Sequence, residues 1–251
     1  MKITVVGCAG SFPSRDSAAS CYLLEAEGFR LVIDLGNGAL GSLQRYAGLA
    51  DIDAICISHL HRDHCVDLGV YAIARHYHPG GQLPPIPVYG PANAAESLAP
   101  AAGLDDGELT NRFTFGALPV GATEIGPFAV TTAHMNHPTQ TFGFRISHGG
   151  WTVAYSADTG ESDALIALAA GADLLLCEAA FLDAPDNVRN VHLSGRQAGE
   201  HAAKAGAGEL VLTHLVAWND PERSLAEAAG AFDGPLSLAA PGRVFGPDGC
   251  G

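Results

Sequence analysis

Within Ile57-Ser58-His59-Leu60-His61-Arg62-Asp63-His64, four side chains able to ligate a metal fall inside six residues. Imidazole nitrogen and carboxylate oxygen suit zinc; manganese and iron accept the same donors, which leaves selectivity to geometry and supply. The residues before the cluster read as a strand and those after it as a helix, so the four donors sit on a loop between rigid elements. In an extended stretch His59 and His61 point to one side, and Asp63 and His64 can then turn towards a neighbouring ion. The six cysteines contain no CxxC pair, which argues against a thiolate site. One histidine in a polar loop would mean little; a cluster this dense points to metal chemistry.

The string HLHRDH resembles the HxHxDH motif of the metallo-β-lactamase superfamily. The order downstream resembles its ribonuclease Z-like and small phosphodiesterase-like branch: His137-Pro138 and Phe142-Gly143-Phe144-Arg145, then Tyr155-Ser156-Ala157-Asp158-Thr159, then Leu212-Thr213-His214. Asp34-Leu35-Gly36, after an early strand, extends the resemblance over nearly the whole chain. The resemblance implies an α+β fold, a four-layer αββα sandwich, holding two divalent metal ions. Zn2+ is expected, with Mn2+ or Fe2+ as alternatives. It implies that His59, His61 and His137 hold one ion, that Asp63, His64 and His214 hold the second, and that Asp158 bridges both. It further implies that Asp63 steers the attacking water and that His192 donates to the phosphate or protonates the leaving oxygen. Glu178 would orient His192. His134 competes with His137 as a ligand but reads better as a supporting loop residue. Ala157 stands where the family more often has glycine, and a methyl group fits there if the backbone is not left-handed. A homodimer is a further implication.

The elements needed to position these residues are legible as short apolar runs. Strands are expected at Ile3 to Val6, Cys21 to Ala26, Phe29 to Asp34 and Ala54 to Ser58. Further strands are expected at Phe128 to Thr132, Phe142 to Ser147, Trp151 to Tyr155, Leu174 to Cys177 and Leu210 to Thr213. Helical spacing covers Ala39 to Tyr46, Val66 to His76, Asp163 to Ala170, Gly195 to Lys204 and Pro221 to Ala229. Ser194 with Gln197 has capping-box spacing, and Asp220 before Pro221 matches an N-cap with proline at N1. A Gly/Pro-rich loop is expected from Pro79 to Pro87. Gly7 and Gly10 allow tight backbone passage; their segment is not a P-loop, because it lacks the GKS/T ending. No low-complexity linker divides the chain, so a single domain over residues 1–251 is expected.

Composition limits the partners. Thirteen basic residues against 27 acidic ones give a formal net charge of −14, and no two basic residues are adjacent. Stable nucleic-acid binding through a broad basic surface is therefore not expected, because such affinity comes from many cationic contacts to phosphates. A small anionic substrate fits, since a local metal charge outweighs a distant negative surface. No run of 18 apolar residues is present, so no membrane span is expected, and the N-terminus meets Gly7 too early for a signal peptide. Reduced, buried cysteines in a cytoplasmic setting are the expectation.

The reaction expected is attack by a metal-bridging hydroxide, most simply on a phosphodiester, with small nucleotide and cyclic nucleotide diesters as the first substrate class. Carboxylic ester, lactone or thioester hydrolysis is the alternative within the same chemistry. A ribonuclease Z-like endonuclease fits less well, because only Pro138 to Ala157 separates His137 from Asp158, which leaves no room for a projecting basic arm. A metal-retaining binding protein without catalysis is the reading from another class. Arg62, Arg145 and Arg196 are candidate phosphate contacts, and His76 and His78 are candidates for the entrance.

Overall fold

The computed structural model describes residues 1–184 and 186–247, with 101 and 106 described by backbone alone. Eight strands form the first sheet: β1 (Lys2–Ala9), β2 (Ala18–Ala19), β3 (Cys21–Ala26), β4 (Phe29–Ile33), β5 (Ala54–Cys56), β6 (Ile86–Gly90), β7 (Phe113–Ala117) and, from the chain end, β15 (Val244–Phe245). Seven form the second: β8 (Gly121–Ile125), β9 (Phe128–His134), β10 (Phe142–His148), β11 (Trp151–Tyr155), β12 (Leu174–Glu178), β13 (Glu209–Thr213) and β14 (Leu236–Leu238). The helices are α1 (Ala39–Leu43), α2 (Arg62–Cys65), α3 (Asp67–His76), α4 (Ala94–Leu98), α5 (Asp106–Thr110), α6 (Asp163–Leu168), α7 (Gly195–Ala205) and α8 (Pro221–Ala229).

Spatial order is β15-β1-β3-β4-β5-β6-β7 in one sheet, with β2 beside β1, and β14-β13-β12-β11-β10-β9-β8 in the other. Each sheet is antiparallel on one side and parallel on the other: β4 to β7 run parallel, as do β11 to β14.

Alternation along the strands builds the layers. In β4, Leu31 and Ile33 join Phe128, Phe144 and Leu176 between the sheets, while Val32 faces the other way onto Leu43, Leu68 and Tyr71 of α1 and α3. In β12, Leu174 and Leu176 point inward, and Leu175 and Cys177 pack under Leu168, Ala198 and Ala202 of α6 and α7. A strand covered on both faces favours apolar residues at successive positions, which is why Leu31 to Ile33 and Leu174 to Cys177 read as unbroken apolar runs. The architecture is helices, sheet, sheet, helices: the expected αββα sandwich.

Several elements differ from the sequence reading. Pro87 lies within β6 rather than in the loop before it; β5 pairs with β6 only from Val88 onward, so the proline stays outside that ladder. β7 and β8 were not expected, because Phe113–Ala117 and Gly121–Ile125 mix glycine and polar residues at partly exposed positions. The capping box of Ser194 with Gln197 forms, and Asp220 accepts the Glu222 N–H with Pro221 at the first helical position. Gly149 and Gly150, both at positive φ, turn β10 tightly into β11. The five described cysteines are buried and free; Cys250 lies outside the described residues. Among the described residues, no helix is long and apolar enough to cross a membrane.

Candidate metal centre

Asp34, His59 to His64, His137, Asp158 and His214 follow the carboxyl ends of β4, β5, β9, β11 and β13, and Glu178 is the last residue of β12; these ends meet on one edge of the sandwich. His59, His61, His137 and Asp158 bring one donor atom each to within 4.8 Å of one another, and so do Asp63, His64, Asp158 and His214. Asp158 is common to both groups. His61 Nδ1 lies 3.1 Å from His59 Nε2 and 3.2 Å from His137 Nε2. Asp158 Oδ1 is 3.1 Å from His64 Nε2, and its Oδ2 is 3.6 Å from His59 Nε2 and 3.5 Å from His214 Nε2.

Three atoms at the middle of this cluster, His64 Nε2, His214 Nε2 and Asp158 Oδ1, are buried without a hydrogen-bond partner. Orphaned polar atoms of this kind are costly, and they call for a ligand. The donors are imidazole nitrogens and carboxylate oxygens in two sets joined by a shared carboxylate, a set that fits two divalent cations of N/O preference. Burial pushes the pKa values of His59, His61, His137 and His214 down, leaving each neutral with a lone pair to offer. Burial also opposes charge on His64, but Asp158 and then Asp34 override it and hold its pKa well above the ordinary value. In Asp63, burial raises the carboxyl, yet His64 and His214 pull it well below its usual range.

The candidate ligands are held from behind. His64 Nδ1 lies 2.7 Å from Asp34 Oδ2 and His59 Nδ1 3.0 Å from Ser58 Oγ. His214 Nδ1 lies 3.1 Å from Ser20 Oγ, and His137 Nδ1 lies 2.8 Å from the Val191 carbonyl. These four imidazoles thus have their outer nitrogen occupied, which fixes each ring and directs the other nitrogen inward, whereas His61 turns Nδ1 towards His59 and His137. Asp34 is the hub: its Oδ1 accepts Ser58 N–H at 2.7 Å, and its Oδ2 also accepts Ser58 Oγ–H at 2.9 Å and Tyr155 O–H at 3.0 Å. In the sequence Asp34 is marked only by its place in a strand-ending Asp-Leu-Gly ahead of a His-rich loop, and its role emerges from these contacts. The backbone is clamped as well. Leu35 N–H donates to the His64 carbonyl, and Gly36 must lack a side chain because a Cβ would sit 1.9 Å from Asp63 O.

His192 and Glu178 form the third group, with Asp158. His192 Nδ1 is 2.9 Å from Glu178 Oε1 and 4.0 Å from Asp158 Oδ2. Although burial works against the cation, Glu178 raises the His192 pKa to about 9. Glu178 is also a turn acceptor, taking the N–H groups of Thr159, Ala180 and Leu193. It therefore fixes the segment after Asp158 and the loop carrying His192 together.

Other candidates lie elsewhere. His134 is exposed and rests on the Phe142 ring, outside the cluster. Arg145 donates to the carbonyls of Leu168 and Ala170 behind α6, and Arg196 pairs with Asp183 and Glu200. His76 contacts Gln82, and His78 accepts the Gly80 N–H within the turn after α3. Arg62 is exposed and lines a cavity of ≈ 350 Å³ with Leu60, Pro91 and Thr139. Ala157 does have left-handed backbone, at φ 49°. The condition set for an unstrained methyl group is therefore not met, and the buried Ala157 side chain is held under strain.

Comparison with known proteins agrees with this geometry. Residues 30–215 match the family described as the β-lactamase superfamily domain. An uncharacterised protein of Mycobacterium leprae is 40% identical, covering 98% of this chain and 88% of its own. The probable metallo-hydrolase YhfI of Bacillus subtilis is 32% identical over 98% of this chain and 99% of its own. The crystal structure of YhfI superposes with a TM-score of 0.86 over 97% of this chain and 98% of that one. Ribonuclease Z of Thermobifida fusca is 28% identical over 95% of this chain and 92% of its own. With the fold, the converging donors and these relatives together, the chain belongs to the β-lactamase superfamily, as a metallo-hydrolase of the metallo-β-lactamase fold.

Proposed function

We propose that this metallo-hydrolase cleaves small phosphodiesters, nucleotide and cyclic nucleotide diesters first among them. His59, His61 and His137 would hold one divalent ion, Asp63, His64 and His214 the other, and Asp158 both, with zinc the expected metal. When bound, two such ions supply a water deprotonated near neutral pH and a Lewis-acid contact for a phosphoryl oxygen.

The observation that carries the reading is His192 on Glu178. Glu178 occupies His192 Nδ1 at 2.9 Å and fixes the ring, and the same nitrogen lies 4.0 Å from Asp158, so the imidazole stands at the edge of the cluster with Nε2 as its remaining donor position. An alkoxide leaving from phosphorus needs a proton, and a positioned acid there contributes roughly 10²–10⁴-fold. Asp63 accepts the Ser11 N–H at 2.9 Å through Oδ2, which fixes that carboxylate's orientation towards the reacting face. The tight Gly149-Gly150 turn and the −14 net charge favour a small substrate over a folded RNA. The relative named ribonuclease Z supports phosphodiester chemistry in a chain of this kind. The free, buried cysteines support a reducing, cytoplasmic setting.

The test is metal analysis followed by parallel assays on bis-p-nitrophenyl phosphate, cyclic nucleotides, lactones and unprocessed transfer RNA. Diester turnover that disappears in His59→Ala, with lactones inert, is the expected result. Lactone turnover without diester turnover would overturn the proposal, and preferential cleavage of the transfer RNA would move it to the endonuclease reading.

A further inference from the structure

Trp218 is 75% exposed, on the loop that begins at His214. Its ring meets that of Phe12, with centroids 4.9 Å apart and planes tilted by 42°. The two loops are joined: Ala9 bridges to Leu215, and Gly10 N–H donates to the Leu215 carbonyl at 3.0 Å. Gly10 packs so closely on His214 that a Cβ would lie 2.3 Å from its carbonyl oxygen and 2.9 Å from its ring Cδ2. Ser11 then turns through a left-handed φ of 63° and delivers its N–H to Asp63 Oδ2. Phe12 is the next residue, its Cα only ~3.8 Å further along. The aromatic pair therefore stands on the rim of the metal centre, one residue from a group bonded to Asp63 and four residues from His214.

Among the described residues, Val70, Ile73 and Tyr77 lie on or just after α3 and Val120 just before β8, while Val188, on the segment leading to His192, is aliphatic and offers no π-face. Among the described residues, Trp218 is the large exposed aromatic ring tied by its loop to the reacting face. Asn219 holds that loop, its N–H bonded to the Val216 carbonyl and its Nδ2–H to the Ala180 carbonyl. A broad π-face kept in water beside a site for a phosphoryl group suits a flat aromatic ring attached to that phosphoryl group. Every nucleobase offers such a face, and stacking needs no cation, which matters in a chain of net charge −14.

We propose that Phe12 and Trp218 form a stacking platform for the base of a nucleotide, so that the enzyme prefers phosphodiesters carrying a nucleoside over alkyl diesters. This rests on the phosphodiester reading above.

Two measurements separate the platform from that reading. In a Trp151→Phe background Trp218 is the sole tryptophan, since the chain has two. Adenosine 5′-monophosphate should quench its fluorescence saturably, and ribose 5-phosphate should not. Kinetically, the metal-loaded protein is compared on thymidine 5′-(p-nitrophenyl phosphate) and methyl p-nitrophenyl phosphate, which share a leaving group. Trp218→Ala should raise the ratio of their KM values, nucleoside over methyl, roughly tenfold, and Trp218→Phe should recover most of it. Absence of quenching, or an unchanged KM ratio, would overturn the platform. An unchanged ratio with a lower molecular mass in solution would make Trp218 a subunit contact instead. Quenching by the nucleotide with both esters inert would leave the platform standing and remove the diester reading.

Discussion

Asp34→Asn isolates what the buried hub contributes. The carboxylate is wholly buried and accepts from four donors: Ser58 N–H, Ser58 Oγ–H, Tyr155 O–H and His64 Nδ1. Asparagine keeps the shape and one oxygen, which can stay on Ser58 N–H. Its amide NH2 then faces the two hydroxyls and His64. Hydroxyls can rotate and become acceptors; His64 can adapt only by moving its proton from Nδ1 to Nε2. Nε2 is the nitrogen that points at the metal centre, so the substitution sets the wrong tautomer for ligation. Loss of such a supporting partner weakens metal affinity by about 10–100-fold, or roughly 1.4–2.7 kcal/mol. The larger loss is expected at the site formed by Asp63, His64 and His214. The assay is competition for zinc against a chromophoric chelator, resolving two stoichiometric steps, with circular dichroism confirming the fold. Two steps of native affinity in a folded Asp34→Asn protein would refute the reasoning.

Other consequences follow from the same geometry. His192→Ala should retain both metals, measured by elemental analysis, while kcat for a diester falls about 10²- to 10⁴-fold; stoichiometric metal loss would show that His192 is a ligand and not a proton donor. Ala157→Gly should be near neutral in thermal unfolding. Relief of about 1–2 kcal/mol from the left-handed backbone offsets the ~0.8 kcal/mol of a lost buried methyl group and ~0.5–1 kcal/mol of glycine's extra freedom; a loss above about 2 kcal/mol would contradict the strain. Burial, the largest cause in each case, raises the thiols of Cys8, Cys21, Cys56 and Cys177. A Cys250→Ser variant should therefore stay unlabelled by a thiol reagent at pH 8 until denatured, when all five described cysteines react; rapid labelling of the native protein would show an open core.

Strands in the middle of either sheet were legible because cover on both faces leaves no position for a polar residue. Leu174 to Cys177 and Val153 to Tyr155 are the clearest cases, and the helices after β12 are marked by Ser194, Gln197 and Pro221. At the sheet margins the signal fades. β8, burial pattern alternating between partly and fully exposed until Ile125, needs apolar residues on one face only. β14 and β15 are three and two residues long, too short for a period to show. The sheet order, with β15 returning to pair with β1, depends on contacts between the two chain ends, and no local pattern carries that.

Spacing singled out the His59 to His64 cluster and family resemblance the three later candidates, but the backbone that aims these side chains left no mark in the sequence. Ser11, Asp34, Ala157 and His214 all adopt positive φ without being glycine, and all four surround the centre. At about 1–2 kcal/mol each, their combined strain is comparable with much of the ~5–15 kcal/mol net stability of a domain, so the surrounding fold must hold them there. The reason is geometric. A ligand following a buried strand would continue along the strand direction; a single left-handed residue swings the chain sideways, so that His214 turns towards Asp158 and Asp34 turns back beneath His64. Glycine would relieve the strain at these positions, but at Asp34 and His214 it would remove the group being aimed. The same residue must supply both the bend and the chemistry, and strain concentrated at non-glycine positions is therefore the backbone signature of this centre.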